Sequence, residues 1–202
     1  VMDEASPLER KLLPLTGFFH AQATTTYHRY FEYAHPFWTH FNRWNAQSAE
    51  FAIEDGSSRD IDLASFQRIA GQKVVAGKIP IAAVLARYDQ LERLPAWEQF
   101  YDQLSCWHQL LNDLLSWKKD LQHHTASYFL CEGERRKAAG ESLFAWLLRE
   151  GFAWGLARLE EWLGDLHTRA SALDSPQLTD YLLSRGQLLN AQQIDMTASI
   201  TA

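Results

Sequence analysis

The sequence of 202 residues has few cysteines, no excess of positive charge and no long apolar run. Its two cysteines, Cys106 and Cys131, lie in apolar surroundings without CxxC spacing, which favours core packing over a disulfide or a zinc site. The net charge of −6 argues against nucleic-acid binding. No run approaches the roughly 20 apolar residues of a membrane span, and no basic segment precedes an apolar signal core, so we expect a cytoplasmic protein.

Several catalytic motifs are also missing. The sequence has no HExxH spacing, and the adjacent His123 and His124 point to different sides of a helix, so we do not expect a zinc site. It contains neither a GxSxG nucleophile elbow nor a phosphate-binding glycine loop. These absences disfavour the common hydrolases and nucleotide-binding proteins.

Helical periodicity is what the sequence does contain. Pro and Gly punctuate it, and no alternating run of polar and apolar β-formers is long enough to indicate a sheet. We therefore predict an all-α protein with one domain over residues 1–202. The predicted helices cover 7–33 with a kink near Pro14 and Gly17, Pro36 to a loop at 54–58, 63–76 with Asp62 as N-cap, 81–93, 97–123, 140–173 and 176–190, with a polar break at 123–127.

One predicted helix carries a line of oxygen ligands, which we call the polar stripe: Asn112, Ser116 and Asp120. Residues four apart on a helix are offset by only about 40°, so the three side chains share one face. An amide, a hydroxyl and a carboxylate suit a hard cation such as Mg²⁺, whose remaining ligands are water or phosphate. The alternative is a solvated stripe on an amphipathic helix.

The segment from Asn112 to Asp120 resembles the second metal-binding motif of class I terpene synthases, Asn-Asp-x-x-Ser-x-x-Lys-Glu. Asp120 replaces the usual Glu and is one methylene shorter, and it lies about 12 Å along the helix from Asn112. The resemblance implies a single helical bundle of the isoprenoid-synthase type and a cluster of three Mg²⁺ ions that bind with the substrate diphosphate. It also implies that Lys119 is a cation for the diphosphate, although a solvated surface lysine is equally consistent with the sequence.

Two arginines fit the same resemblance. Arg68, followed by a glycine break at Gly71, precedes the polar stripe by a distance comparable to that of the diphosphate-sensing Arg of terpene synthases, and a guanidinium binds phosphate oxygens bidentately. Near the C-terminus, Tyr181 and Arg185 occupy the place of the family's Arg-Tyr pair in reversed order, which implies a diphosphate contact by Arg185. The alternatives are a surface arginine beside a helix kink and an ordinary i,i+4 pair.

The family also needs a second acidic cluster, Asp-Asp-x-x-Asp or a variant, and the sequence has no complete one. The segment Val1-Met2-Asp3-Glu4 resembles the tail of such a motif, with the first two aspartates just before residue 1. We therefore expect Asp3 to be a metal ligand and N-terminal helices of the domain to be missing from this chain. The alternative is an acidic terminus without a ligand role.

Aromatic residues make up 13% of the sequence and include eight Trp. Aromatic faces stabilise carbocations without reacting with them, and four side chains are candidates for a substrate pocket: Trp38, Phe41, Trp44 and Phe66. Aromatic residues at helical spacing are also typical of ordinary core packing, so both interpretations stay open.

These features together indicate Mg²⁺-dependent ionisation of a prenyl diphosphate, followed by cyclisation or elimination of the allylic cation in a dry cavity. One alternative is a prenyltransferase of the squalene or polyprenyl type, although those families favour Asp-rich second motifs. Another is a non-catalytic helical relative that binds a lipid or a diphosphate. The expected partner is a prenyl diphosphate, and a homodimer remains open.

Overall fold

The structure, a computed structural model, describes residues 7–53 and 60–201, with side chains for 17–52 and 60–191. Every element in these ranges is helical, so the predicted all-α class is confirmed for them. The helices are α1 (Pro7–Tyr27), α2 (Phe37–Ile53), α3 (Leu63–Lys73), α4 (Lys78–Arg87), α5 (Leu94–His123), α6 (Tyr128–Arg136), α7 (Leu143–Trp146), α8 (Phe152–Ala172) and α9 (Pro176–Thr201). Short 3₁₀ turns, Val75–Gly77 and Leu91–Arg93, precede α4 and α5, and a π-helical turn, Leu147–Gly151, joins α7 to α8.

Local capping signals fix several helix ends where the sequence predicts them. The Asp62 carboxylate accepts a hydrogen bond from the Ser65 backbone N–H at 2.8 Å, which confirms it as the N-cap of α3. At the C-terminal end of α5, His124 adopts a left-handed conformation with φ 52°, and the Thr125 N–H donates to the Asp120 carbonyl at 2.9 Å. The predicted polar break after α5 is therefore confirmed.

The first helix is shorter than predicted. It ends at Tyr27 rather than at residue 33, and turns over 28–36 lead into α2. The cause is tertiary: Phe31 is buried and its ring stacks on Phe37 with 4.4 Å between centroids. Burial of these two rings against each other outweighs continuation of the helix.

The limits of α4 were also predicted wrongly. It begins at Lys78, because Pro80 is tolerated in a first turn where backbone N–H groups need no intrahelical partner. It ends at Arg87 rather than 93, and Asp89 follows with φ 52°, a left-handed conformation that a helix cannot contain.

The predicted helix over 140–173 is in fact interrupted. Gly140 has φ 81°, α7 begins only after the Ser142 side chain accepts from the Ala145 N–H at 3.1 Å, and the π-helical turn separates α7 from α8. At the end of the chain, α9 continues to Thr201, beyond the predicted limit of 190. Helical periodicity identified these segments but did not determine where each helix starts and stops.

The buried apolar side chains form two groups. The central cluster surrounds α5 and contains Trp107, Leu110 and Leu114 with residues of α3, α6, α8 and α9. The aromatic cluster joins the loop after α1 to α2, α4 and the start of α5, and its buried rings are Phe31, Phe37, Phe41 and Trp44. Trp97 packs against both, so α5 connects the two groups.

Among the described residues, no single helix is both long and apolar enough to cross a membrane. The segments Leu63–Lys73 and Val75–Arg87 reach the required length and hydropathy only when they are taken together, across a bend of 56°.

Candidate metal and phosphate site

The structure brings the three residues of the polar stripe to one cavity. Asn112, Ser116 and Asp120 line a space of about 260 Å³, which we call the stripe cavity. Asn112 is exposed, whereas Ser116 and Asp120 are half-buried. The other walls come from the segment leading into α3, α3 itself, the residues between α5 and α6, and neighbouring positions of α5: Ile61, Phe66, Ile69, Lys73, Gln109, Asp113, Thr125, Ala126, Ser127 and Tyr128.

Within the polar stripe, the Ser116 hydroxyl donates to Asp120 Oδ2 at 2.7 Å. This bond holds a hydroxyl and a carboxylate side by side, one helical turn apart. Both groups offer oxygen lone pairs, and Asn112 adds an amide oxygen one turn earlier. The arrangement gives one negative and two neutral oxygen donors along the wall of the stripe cavity.

A buried carboxylate that we had not selected from the sequence connects two walls of the stripe cavity. Asp113 is 4% exposed and accepts hydrogen bonds from Gln109 Nε2 at 2.7 Å and from the Tyr128 backbone N–H at 3.1 Å. Burial raises the pKa of Asp113 to about 6, and the hydrogen bonds from Gln109 and the start of α6 oppose that rise. Asp113 therefore fastens α6 to α5 and fixes the shape of the cavity.

Among the described residues, the cation that borders the stripe cavity is Lys73, at the end of α3. Its Nζ donates to Gln109 Oε1 at 3.1 Å, and Gln109 in turn donates to Asp113. These three side chains form a polar relay along one wall. Lys73 was also not selected from the sequence, although it follows Gly71 in the segment that drew attention to Arg68.

Ser127, the residue just before α6, also lines the stripe cavity. It is 7% exposed, and among the described residues its hydroxyl has no hydrogen-bond partner. Buried hydroxyls normally have one, so this group is an exception that asks for an explanation.

The other predicted diphosphate ligands lie elsewhere. Lys119 is exposed on α5 and is not among the residues that line the stripe cavity. Arg68 lines a different cleft of about 480 Å³, bordered by α2, α3, α5 and α8, where its Nη1 donates to Gln72 Oε1 at 2.8 Å. The structure therefore does not bring these cations together with the polar stripe.

The remaining predicted ligands are Arg185 and Asp3. Arg185 lies over the Tyr181 ring at 4.9 Å, and the Tyr181 hydroxyl is hydrogen-bonded to His108 Nε2 at 3.0 Å. The two half-buried side chains form an i,i+4 pair, and Arg185 does not line the stripe cavity. Asp3 lies outside the described residues.

The four predicted pocket aromatics divide between the two clusters. Phe66 lines the stripe cavity and stacks on Tyr128, with 4.6 Å between centroids and 26° between planes. Trp38, Phe41 and Trp44 pack in or against the aromatic cluster and do not border this cavity. Only Phe66 is therefore placed to face a ligand at the polar stripe.

The oxygen ligands of the polar stripe fit a hard cation whose coordination is completed by oxygens from other molecules. In the part of the chain that the structure describes, no three His, Cys, Asp or Glu side chains are grouped to hold a metal ion. The polar stripe supplies one carboxylate, an amide oxygen and a hydroxyl, so a bound Mg²⁺ would take its remaining ligands from water or a phosphate group. Such a set is suited to a metal–phosphate complex rather than to a bare ion.

Comparison with known proteins gives no assignment: no protein-family model, no curated protein and no solved structure matches the chain. The function therefore has to be argued from the geometry of the stripe cavity.

Proposed function

We propose that this chain has an isoprenoid-synthase-like fold and binds a prenyl diphosphate together with Mg²⁺ at the stripe cavity. The observation that carries this proposal is the convergence of Asn112, Ser116 and Asp120 on one cavity next to a lysine and an aromatic wall. The resemblance of this segment to the second metal motif of terpene synthases gives the same ligand chemistry. The proposed activity is ionisation of the prenyl diphosphate, with cyclisation or elimination of the allylic cation.

In this proposal Asp120, Ser116 and Asn112 hold Mg²⁺. Bound Mg²⁺, three ions by the family resemblance, would supply positive charge to neutralise the diphosphate leaving group. The chain itself adds the Lys73 ammonium, which borders the cavity and favours an anion there. Since Lys119, Arg68 and Arg185 do not line the cavity, we assign them no direct contact with the diphosphate.

The apolar residues that line the stripe cavity suit the isoprenoid end of the substrate. Phe66 is buried and stacked on Tyr128, and Ile61 and Ile69 add aliphatic surface. Aromatic faces attract a cation through the negative face of the ring, and apolar side chains exclude water that would trap it. The chain's contribution after ionisation is therefore to shelter the allylic cation.

Calorimetric titration of pyrophosphate in the presence of Mg²⁺ tests the metal ligands. We expect Asn112→Ala and Asp120→Asn to weaken binding at least about ten-fold, because the first removes an oxygen ligand and the second removes the negative charge of the carboxylate. Gln122→Ala, an exposed amide on the same helix, and Asp165→Asn, an exposed carboxylate on α8, are matched controls that should bind normally. Normal binding by both stripe variants would show that the polar stripe is only structural.

A non-catalytic diphosphate-binding protein is the second candidate. The observation favouring it is that, among the described residues, the cavity is lined by just two carboxylates, Asp113 and Asp120, and Asp113 is engaged by Gln109 and Tyr128. Incubation with Mg²⁺ and geranyl, farnesyl or geranylgeranyl diphosphate separates the two. Release of diphosphate supports the enzyme, and tight binding without release supports the binding protein.

A further inference from the structure

The Ser127 hydroxyl is a buried polar group without a hydrogen-bond partner among the described residues, and it lines the stripe cavity. A serine directly before a helix normally accepts a hydrogen bond from a backbone N–H of the first turn. Ser127 precedes α6, a helix of 9 residues, yet its side chain makes no such cap, and it has no partner among the described residues. Local helix capping therefore does not explain a buried serine here.

Asp113 caps the N-terminus of α6 instead of Ser127. Its carboxylate, from α5, accepts the Tyr128 N–H at 3.1 Å, and a weaker interaction with the Phe129 N–H also lowers its pKa. Turning the Ser127 side chain to another staggered rotamer breaks no hydrogen bond to the described residues. The hydroxyl can therefore turn toward a ligand in the stripe cavity, which Ser127 lines.

Two groups that line the stripe cavity favour an anion: Lys73 contributes an ammonium group, and Ser127 has an uncommitted O–H donor. The N-terminus of α6 adds little, because its Tyr128 N–H is already bonded to the Asp113 carboxylate. The polar stripe lines the same cavity and offers oxygen acceptors that suit a cation. A ligand that satisfies both sets of groups carries metal and phosphate together.

We infer that Ser127 is an anion-binding residue that donates its hydroxyl proton to a non-bridging oxygen of a metal-bound diphosphate seated between the N-terminus of α6 and the polar stripe. This inference rests on the proposed function and assigns the diphosphate, rather than the isoprenoid chain, to the α6 side of the cavity. Mg²⁺ bound at Asn112, Ser116 and Asp120 lies on the α5 side.

The test is calorimetric titration of Ser127→Ala with pyrophosphate in the presence of Mg²⁺, and with Mg²⁺ alone. Loss of a hydrogen bond to a charged oxygen should weaken binding of Mg²⁺–pyrophosphate about ten-fold or more. Binding of Mg²⁺ alone should not change. The melting temperature should not fall, because the hydroxyl bonds to nothing in the described residues.

Ser105→Ala is the matched control. Ser105 is also a buried serine, but its hydroxyl donates to the Tyr101 carbonyl at 2.7 Å within α5, and it does not line the cavity. Its removal should leave pyrophosphate affinity unchanged. Ser127→Cys, nearly isosteric with a weak donor, should reproduce the loss of affinity, whereas Ser127→Thr keeps the hydroxyl and should retain binding.

The outcomes separate this inference from the proposed function. If Ser127→Ala binds Mg²⁺–pyrophosphate as tightly as the wild type while Asp120→Asn does not, the role of Ser127 is wrong and the proposed function stands. If Ser127→Ala weakens Mg²⁺ alone by the same factor, the hydroxyl is a metal ligand and the inference is overturned. If the wild type itself does not bind Mg²⁺–pyrophosphate, both the proposed function and the inference about Ser127 are wrong.

Discussion

Two aromatic regions of this molecule differ in what surrounds their rings. In the aromatic cluster, rings pack mainly on other rings, as Phe31 does on Phe37 at 4.4 Å. Phe66 also stacks on a ring, that of Tyr128, but it borders a cavity lined by oxygen donors and a lysine. The aromatic residues of both regions are buried and stacked, so burial and stacking do not tell the two regions apart. The comparison shows that polar groups arriving from other helices, rather than the aromatic residues, distinguish the stripe cavity from the aromatic cluster.

The largest effect that separates the two regions should come from Trp44→Ala. Trp44 is 1% exposed in the aromatic cluster, and deleting a buried indole costs about 3–5 kcal/mol. Urea unfolding should show this loss, while pyrophosphate affinity of the folded variant should match the wild type. Tyr33→Ala, at a position 87% exposed, is the control and should change the free energy of unfolding by less than about 0.5 kcal/mol. Weakened binding by folded Trp44→Ala would mean that the aromatic cluster reaches the ligand.

The next largest effect should come from Asp113, which holds the stripe cavity together. Asp113→Ala leaves the Tyr128 N–H and the Gln109 amide without their acceptor, which should cost about 1–3 kcal/mol in urea unfolding. Asp113→Asn keeps an acceptor oxygen and should cost less. Equal stability of wild type and Asp113→Ala would contradict the role of this carboxylate in joining α6 to α5.

The pH dependence of the same variants provides a second measurement. Because burial raises the pKa of Asp113 from 3.8 to about 6, the folded state binds its proton more tightly than the unfolded state does. The contribution of this group is therefore fully present below pH 4 and is lost as the pH rises to about 6 and beyond. In metal-free buffer, the wild type should lose stability relative to Asp113→Asn over this range. A constant difference between the two curves would contradict the raised pKa.

Local signals explain how much of the fold was predictable. Asp62 starts α3 and Pro176 starts α9 because capping and proline geometry act within a few residues of the chain. The early end of α1 depends on Phe31 meeting Phe37, which no local signal reports. The interruption at 140–151 has a local cause in Gly140 and Ser142, which break and restart the helix. The apolar residues continue at helical spacing through this segment, which is why the sequence predicts one continuous helix.

The residues of the candidate site also divide into those that local sequence patterns predict and those that they do not. The polar stripe was predictable because its three residues share a face of one helix whatever that helix contacts. Asp113 also left a signal, since it follows Leu110 by three positions and precedes Leu114, on the apolar side of α5. Ser127 left no such signal, because its position at the stripe cavity depends on where α6 meets α5. The choice between Arg68 and Lys73 required knowing which face of α3 packs against α5: Phe66, Ile69 and Lys73 share that face, while Arg68 points about 200° away from Phe66.

Two glycines in α8, Gly155 and Gly164, test how closely α8 packs against α5 in the central cluster. A methyl group at Gly155 would lie 2.7 Å from Leu114 Cδ2 on α5, so Gly155→Ala should destabilise the fold by about 1–3 kcal/mol. Gly164, on the same helix, has no heavy atom of the described residues within 4 Å of such a methyl group. Gly164→Ala should therefore stabilise the fold by up to about 1 kcal/mol, because alanine favours the helix. Thermal unfolding of both variants checks the contrast, and stabilisation by Gly155→Ala would show that α5 and α8 are further apart than described.

The smallest expected effect concerns the two cations of α3. Lys73 borders the stripe cavity while Arg68 lines the cleft on the other side of the helix, so Lys73→Ala should weaken Mg²⁺–pyrophosphate binding about five-fold and Arg68→Ala by less than about two-fold. Because Lys73 is exposed, its contribution should shrink as salt is raised and shortens the range of its field. Titrations at low and high ionic strength check both points. If Arg68→Ala has the larger effect, the diphosphate binds on the Arg68 side of α3, as the family resemblance implies, and the stripe cavity in its present form is not where the diphosphate binds.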